Sequence, residues 1–298
     1  MTLSLGGIFA PVTTPFVEGG EIDAKGFASN IRAHMDAGLS GVVVGGSTGE
    51  AALLDEAERS SLVEIARGVV SSDKAVIVGT GAESTRHAIR LTNNAAARGA
   101  DAVLVVAPHY YGTSMTAEAL LEHYRAIADA SPVPVILYNI PKYMHFSLPT
   151  TVVSELARHP NVIGIKDSSG NTETLAGFME SRSATFSVVV GNGALLNHAL
   201  VSGGTGGILG VSLFAPSLAL EIFAAFQRGD RETATFIQDR MAPLHVRIVA
   251  QLGVAGVKAA LDAVKLVGGP TRSPLLPLGE LERREIATLL HAAELVAA

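Results

Sequence analysis

The chain has 298 residues and a formal net charge of −6, and 48% of its residues are apolar. This length allows one large domain or two ordinary ones, and the apolar share is ample for a buried core. The acidic balance argues against a nucleic-acid partner, whose binding face would be basic. Because cysteine is absent, disulfides, zinc–thiolate sites, iron–sulfur clusters and a cysteine nucleophile are excluded.

The sequence gives no sign of export or of a membrane anchor. No apolar run reaches the roughly 18 residues needed to span a bilayer. The first six residues, MTLSLG, have neither the basic region and apolar stretch of a signal peptide nor the arginines of a transit peptide. We therefore expect a cytoplasmic protein without a membrane partner.

Short runs rich in Val and Ile recur along the chain, with helical stretches between them. The eight runs are Ile8–Val12, Val42–Gly45, Ala75–Gly79, Ala102–Ala107, Val135–Asn139, Val162–Ile165, Ser187–Val190 and Gly207–Leu209. They are continuous rather than alternating, as in parallel strands covered on both faces. With a helix after each strand, they predict an α/β fold, the closed (β/α)₈ TIM barrel. A doubly wound sheet would have fewer strands and a nucleotide fingerprint, and a sandwich would lack the helices.

Helical patterns fill the segments between the runs and dominate the tail. The clearest helices are predicted at Asp55–Val70, Ser84–Arg98, Thr116–Ala130, Pro149–Arg158 and Asn171–Ser181. The tail is far longer than one closing helix. It is helical in pattern from Ser217 to Lys265, with Gly253 and Gly256 as weak points, and again from Glu280 to Ala298. We expect a barrel catalytic domain at residues 1–215 and a helical extension at residues 216–298 packed on it.

A lysine stands out among the residues that follow the apolar runs. Active sites of such barrels lie at the carboxyl ends of the strands. Of the six lysines, only Lys166 ends a buried apolar run. Apolar walls there disfavour the ammonium form, and attack on a ketone requires the neutral amine. A solvated lysine, or one paired with Asp167, is the structural alternative.

Two other strand ends carry groups that suit an organic acid. Ser47 and Thr48 lie in a glycine-containing turn after the second strand, where hydroxyls and backbone N–H groups can hold a carboxylate. A plain strand-to-helix turn is the alternative. Tyr138 ends the fifth strand and could relay protons, although a buried tyrosine is more often a core residue whose hydroxyl is satisfied.

The remaining candidates indicate packing rather than chemistry. His109 is the only histidine at a strand end, and Pro108–Tyr111 is typical of packing at a subunit interface. The glycines at 203, 204, 206, 207 and 210 fail the G-x-G-x-x-G spacing and precede a strand, so we expect close packing rather than a phosphate loop. No cluster of His, Asp and Glu has the spacing of metal ligands, and we expect no metal.

Several stretches together resemble the dihydrodipicolinate synthase / N-acetylneuraminate lyase family of Schiff-base aldolases. Three of them match its signatures, in the family order: Gly46–Glu50, Tyr138–Pro141 and Gly164–Ser168. Pro11–Phe16 near the start and Gly268–Leu275 near the end match as well. The resemblance therefore covers essentially the whole chain.

The resemblance implies class I aldolase chemistry without a metal or an organic cofactor. Lys166 would condense with the keto carbon of pyruvate or a longer 2-keto acid, and Tyr138 would shuttle protons. The substrate carboxylate would be held by Ser47 and Thr48, with Gly191 and the backbone of Ile208 nearby.

The resemblance also implies an assembly. Tyr111 matches the position at which family members contribute a tyrosine from a neighbouring subunit to the hydrogen-bond chain of Tyr138. We therefore expect a homo-oligomer, commonly a tetramer built from two tight dimers, and a small-molecule 2-keto acid as the other partner.

One departure from the family pattern concerns the substrate. Dihydrodipicolinate synthases place an arginine two residues after the proline of Tyr138–Pro141, and here that place is Tyr143. A phenol does not replace the bidentate fork of an arginine. We therefore expect substrate choice to lie in residues 142–146.

Three stretches make the chain look closer to the 4-hydroxy-2-oxoglutarate aldolase branch, namely Gly81–Thr85, Lys166–Gly170 and the Gly268–Leu275 ending. That branch cleaves its substrate to pyruvate and glyoxylate. Three further possibilities stay open at this point. They are dihydrodipicolinate synthesis, cleavage or dehydration of 2-keto-3-deoxy sugar acids, and a non-catalytic barrel that senses a keto acid.

Overall fold

The computed structural model describes residues 5–297 and contains a closed barrel of eight parallel strands, each paired with the next along the chain. The (β/α)₈ TIM barrel predicted from the sequence is therefore confirmed. The strands are β1 (Gly7–Pro11), β2 (Gly41–Val44), β3 (Ala75–Gly79), β4 (Ala102–Val106), β5 (Val135–Asn139), β6 (Val162–Asp167), β7 (Ser187–Val190) and β8 (Gly206–Ile208).

The bounds of β3, β5 and β7 are those predicted, and the other five strands differ by one or two residues at an end. One of these differences affects the site. The sequence predicts that β6 ends at Ile165, but pairing continues through Lys166 and Asp167. Lys166 is in register with Tyr138 on β5 and with Val189 on β7. The polar side chains do not end the strand because its backbone is still bonded to a neighbour on each side.

The helices surround the barrel and continue beyond it. They are α1 (Ala24–Asp36), α2 (Glu56–Val69), α3 (Thr85–Ala97), α4 (Ala117–Ala130), α5 (Pro141–Met144), α6 (Thr150–Leu156), α7 (Thr172–Met179), α8 (Leu196–Val201), α9 (Pro216–Gln227), α10 (Arg231–Leu244), α11 (Gly253–Ala263) and α12 (Glu280–Ala292). Predicted caps begin several of them. Asp55 and Glu58 form a capping box at α2, and the Ser84 hydroxyl accepts from the His87 N–H at α3.

The tail is more divided than the sequence predicts. Between Ser217 and Lys265 lie three α-helices and a π-helical segment, His245–Gln251. Gly253, with φ of +66°, is a break as predicted, whereas Gly256 lies buried inside α11. An added Cβ at Gly256 would collide with the carbonyl oxygen of Ile248, so this glycine serves close packing. The last predicted helix ends at Ala292, and Ala298 lies outside the described residues.

The barrel closes through a close approach of backbones. An added Cβ at Gly206 on β8 would collide with the carbonyl oxygen of Gly7 on β1. This close approach confirms, at Gly206, the prediction that the glycines around the eighth strand serve close packing. Helix α9 then packs beside α8 and against β1, the position of an eighth barrel helix. The division of the chain at residues 215 and 216 stays a prediction.

None of the helices within residues 5–297 is long and apolar enough to cross a membrane. The cytoplasmic location stays a prediction from the sequence. It depends partly on residues 1–4, which lie outside the described part of the chain.

Candidate active site

A cavity of about 220 Å³ opens at the carboxyl ends of the strands. Sites for drug-sized ligands run from about 300 to 1,000 Å³, so this one suits a smaller metabolite. Six of the seven residues predicted for the site line it: Ser47, Thr48, Tyr138, Lys166, Gly191 and Ile208. Residues from α5, the π-helical segment and α11 cover the side opposite the strands, namely Lys142, Tyr143, His245, Val249, Ala250, Gly253, Val254 and Val257.

Lys166 is 5% exposed, and that exposure faces the cavity it lines. Its Nζ lies 4.3 Å from the centroid of the Tyr138 ring. The neighbouring Asp167 carboxylate accepts hydrogen bonds from Asn139 and Ser169 and forms no ion pair with the lysine. The alternative of a lysine paired with Asp167 therefore does not apply.

Asp167 and Asn139 join β6 to the segment that follows β5. Asn139 Nδ2 donates to Asp167 Oδ1 at 2.8 Å, and Asn139 Oδ1 accepts from the Leu148 N–H at 2.9 Å. Burial raises the pKa of the Asp167 carboxyl, and its hydrogen bonds from Asn139 and Ser169 oppose that rise. The network fixes the strand end that carries Lys166 together with both ends of the 140–148 segment.

Gly191 gives Lys166 room to reach the cavity. An added Cβ at this position would collide with Ser168 Oγ and would lie 2.8 Å from Cε of Lys166. The Gly191 N–H donates to the carbonyl oxygen of Asp167 at 2.6 Å, so the backbone of the β7 end is held against β6. A side chain larger than hydrogen would displace the lysine or the serine.

The Ser47–Thr48 turn is a single 3₁₀ turn, Ser47–Gly49, directly after β2. The first N–H groups of such a turn have no partner within it, so they and the two hydroxyls are available to an anion. Thr14 Oγ1 donates to the carbonyl oxygen of Gly49 at 2.7 Å, and Glu50 adopts the left-handed conformation with φ of +56°. A non-glycine residue keeps this conformation only where its surroundings hold it.

The segment predicted to govern substrate choice lies only partly at the cavity. Lys142 and Tyr143 line it, whereas Met144 is buried and His145 is exposed. Lys142 Nζ donates to the carbonyl oxygen of Ala250 at 2.7 Å. Burial raises the pKa of the Tyr143 phenol, and the charge of a nearby Tyr138 phenolate adds to the rise. The two phenols therefore share one wall.

His245 was not found by sequence reasoning. It begins the π-helical segment two residues after Pro243, which lies inside α10 and lacks the N–H that a regular helix requires. π-helical turns are frequent at functional sites. His245 Nδ1 accepts from the Gly193 N–H at 3.1 Å, and burial, with a smaller contribution from Lys142, lowers its pKa to about 4. The proline was the one local signal that could have drawn attention to this segment.

Two residues considered from the sequence lie outside the cavity. Tyr111 is 67% exposed and stacks edge-on against Tyr110, with 5.0 Å between ring centroids. His109 Nδ1 lies 3.2 Å from Glu83 Oε1 on the surface. Within one chain the structure therefore does not bring Tyr111 to Tyr138. No group of three His, Asp or Glu among residues 5–297 is arranged to hold a metal ion.

A TIM barrel with a buried lysine over a tyrosine ring, in a cavity at the strand ends, defines an enzyme of the class I aldolase type. A sequence profile described as the dihydrodipicolinate synthetase family matches residues 4–293. The chain belongs to this family. It is a pyruvate-dependent lyase or synthase, and the alternative of a non-catalytic sensor is set aside.

Curated relatives and solved structures agree on the family over nearly the full chain. The 4-hydroxy-tetrahydrodipicolinate synthase of Methanothrix thermoacetophila is 34% identical over 285 residues, 95% of each chain. That of Methanospirillum hungatei is 36% identical over 272 residues, 90% of this chain and 92% of the relative. The pyruvate complex of the Acinetobacter baumannii dihydrodipicolinate synthase has a TM-score of 0.93 at 31% identity and covers 98% of this chain and 100% of its own.

The names of the relatives differ from the aldolase branch that the sequence led us to expect. The relatives carry the name of the alternative, the synthase, rather than that of the 4-hydroxy-2-oxoglutarate aldolase branch. The family is therefore confirmed, and the comparisons favour the synthase over the aldolase as the nearer likeness.

Proposed function

We propose that Lys166 forms a Schiff base with pyruvate and that pyruvate C3 is then joined to, or released from, an aldehyde. The placement of Lys166 carries this proposal. Its amine is buried in a metabolite-sized cavity, over an aromatic ring, and no carboxylate of residues 5–297 forms an ion pair with it. An amine held inside the substrate cavity is placed to attack a ketone carbon that binds there.

The steps balance without a cofactor. The Lys166 amine adds to the C2 carbonyl of pyruvate, and the carbonyl oxygen leaves as water to give an iminium. The iminium draws electrons from C3, which loses a proton to give an enamine. Enamine C3 attacks the aldehyde carbon, and the new alkoxide takes a proton. Water then adds to C2 and releases Lys166 with the open-chain product. Where the aldehyde carries an amino group, as aspartate semialdehyde does, that amine adds to C2 instead and displaces Lys166, which closes the ring. The reverse order cleaves a 4-hydroxy-2-oxo acid.

The other predicted residues take roles around these steps. Tyr138, next to Nζ, passes protons to and from the reacting oxygens. The turn at Ser47 and Thr48 holds the pyruvate carboxylate, with Gly191 and the backbone of Ile208 completing that end of the cavity.

The first candidate for the aldehyde is aspartate semialdehyde, which makes the reaction a 4-hydroxy-tetrahydrodipicolinate synthesis. The names of the relatives, at 34% and 36% identity over nearly full length, support it. The second candidate is glyoxylate, with cleavage of 4-hydroxy-2-oxoglutarate as the reverse reaction. Tyr143 favours it, because the arginine that synthases use to hold the semialdehyde is replaced by a phenol at the cavity wall.

The Schiff base is tested by reduction. Incubation with pyruvate and borohydride should add one reduced pyruvate to the peptide that contains Lys166, and Lys166→Arg should abolish the addition. An unmodified mass in the native chain would overturn the proposal. Lys74→Arg is the matched control, since Lys74 Nζ donates to Leu39 at the opposite end of the barrel and should not affect the adduct.

The aldehyde is tested by turnover. A reductase-coupled assay with aspartate semialdehyde is compared with the release of pyruvate from 4-hydroxy-2-oxoglutarate and from 2-keto-3-deoxy acids. A kcat/KM at least tenfold higher for the semialdehyde supports the first candidate. The opposite order supports the second.

We also propose a homotetramer of two tight dimers in which Tyr111 reaches the site of the neighbouring subunit. Its 67% exposure in the single chain leaves the side chain free for such a contact. Tyr111→Phe should lower kcat without dissociating the oligomer, as measured by sedimentation. We likewise propose that residues 1–215 carry the catalysis and that the helical extension at 216–298 supports the barrel from outside.

A further inference from the structure

The cavity is cationic although the chain is acidic. Besides Lys166, whose amine is the proposed nucleophile, the described residues that line it include Lys142 and no aspartate or glutamate. The chain as a whole carries a formal charge of −6, so composition does not explain this local excess. Charge complementarity favours a substrate with a carboxylate beyond the one that accompanies the keto group.

His245 offers a directed hydrogen-bond donor to this cavity. A backbone N–H can only donate, so Nδ1, which accepts from Gly193, carries no proton. The neutral ring therefore carries its proton on Nε2. This atom has no hydrogen-bond partner within residues 5–297, and it is not fully buried. The exposure that it keeps faces the cavity that His245 lines.

Lys142 lines the same cavity as this donor. Its hydrogen bond to Ala250 joins α5 to the π-helical segment, and it keeps two further N–H groups. Burial lowers the pKa of His245 to about 4, and the charge of Lys142 adds to that effect. At neutral pH the wall therefore presents a neutral N–H and a positive charge together.

We propose that His245 is a specificity-determining residue whose Nε2–H donates to the distal carboxylate of the substrate, with Lys142 supplying the charge. This inference deepens the proposed function and rests on it. It holds for either candidate aldehyde, since each brings a carboxylate besides that of pyruvate.

The test compares two five-carbon acids as Schiff-base ligands. Both 2-oxoglutarate and 2-oxopentanoate carry the keto acid, and only the first has a distal carboxylate. The concentration that gives half-maximal trapping by cyanoborohydride is measured for each acid and for pyruvate. His245→Asn keeps an acceptor for Gly193 and removes the distal donor, whereas His245→Gln keeps a donor near the place of Nε2.

His245→Asn should raise the half-maximal concentration of 2-oxoglutarate about 10- to 100-fold, the range for a hydrogen bond to a charged group. It should change the values for 2-oxopentanoate and pyruvate less than about threefold, by the same scale. His245→Gln should retain most of the affinity for 2-oxoglutarate. Lys142→Met should act in the same direction as His245→Asn, and Val249→Ala, on the same segment, should shift both acids alike.

Equal shifts for all three acids in His245→Asn would show that the histidine only supports Gly193 and would overturn the inference. So would a native chain that binds 2-oxopentanoate as well as 2-oxoglutarate. Failure of the underlying function has a different signature, because the native chain would then trap no pyruvate at all.

Discussion

Lys258 and Glu50 form a buried ion pair, with 2.5 Å between Nζ and Oε1. Glu50 follows the Ser47–Gly49 turn after β2, whereas Lys258 lies on α11 in the C-terminal part of the chain. Glu50 Oε2 also accepts from the N–H of Arg272, and Lys258 Nζ donates to the carbonyl oxygen of Pro270. The pair therefore holds the turn proposed to bind the substrate carboxylate against the C-terminal helices.

Breaking this pair should cost both stability and substrate affinity. Burial lowers the pKa of the Lys258 ammonium, and Glu50 opposes that effect. Lys258→Met would leave a buried carboxylate without its partner, at a cost of about 3–5 kcal/mol in the free energy of unfolding. The KM for pyruvate should rise, because Glu50, which follows the Ser47–Gly49 turn in the left-handed conformation, would lose the ion pair that anchors it.

A double-mutant cycle, measured by urea unfolding, separates the interaction energy of the ion pair from the effects of the two single substitutions. We expect Glu50→Gln with Lys258→Met to cost clearly less than the sum of the two single changes, since neither charge is then left alone. Strictly additive costs, with the KM for pyruvate unchanged, would show that the pair does not position the turn.

Gly191→Ala should disable Lys166 without replacing it. The added Cβ would crowd Cε of Lys166 and Ser168 Oγ. A misplacement of about 1 Å can cost about 100-fold in rate, so the rate of pyruvate trapping should fall by about that factor. Gly68→Ala is the control, because an added Cβ there meets nothing within 4 Å. A trapping rate equal in both variants would contradict the geometry.

Tyr138→Phe separates proton transfer from the support that the ring gives to Lys166. The phenyl ring keeps its place beside Nζ, 4.3 Å from the centroid in the native chain. Trapping with pyruvate at long times should therefore remain complete. The value of kcat should fall about 10²- to 10⁴-fold, which is the usual contribution of general acid–base catalysis to the rate. Tyr143→Phe, in the same wall, should lower kcat far less. Equal losses in the two variants would argue against Tyr138 as the proton shuttle.

Stability should fall as the pH drops from about 6.5 to about 4. Burial is the largest cause that lowers the pKa of His34, His123 and His245 to about 4, from an ordinary value of 6.5. Below pH 6.5 these histidines bind protons in the unfolded chain but stay neutral in the folded chain until about pH 4. Protonation therefore favours unfolding. Each histidine contributes a slope of up to about 1.4 kcal/mol per pH unit.

Urea unfolding across this pH range measures the slope. His34→Gln should reduce it, even if the variant is less stable throughout, and His198→Gln, at an exposed position, should leave it unchanged. A slope that is the same in all three proteins would contradict this assignment.

Much of the barrel could be predicted because its signals are local. Each strand was found as a short apolar run, and Lys166 was singled out because it ends one of them. The exact end of β6 could not be found in this way, since pairing of Lys166 with Tyr138 and Val189 extends the strand. The break before α10 was missed although Gly229, with φ of +76°, and the N-cap Asp230 mark it.

The parts of the site that sequence reasoning missed depend on distant segments. His245 follows an ordinary helical stretch, and only the hydrogen bond to Gly193 fixes its tautomer and places it in the cavity wall. Glu50 was noticed as part of a family signature, but its partner Lys258 looked like one more helical lysine. No spacing between such residues predicts that they meet.

The sequence by itself determined the alternation of strands and helices, and it singled out Lys166 and the Ser47–Thr48 turn as candidates for the site. These follow from periodicity and from the rule that barrel sites lie at strand ends. Only the tertiary structure decided which charges are paired, which imidazole nitrogen keeps its proton and which side chains share the cavity. Such properties depend on burial and on contacts between segments far apart in the chain, and local pattern does not encode either.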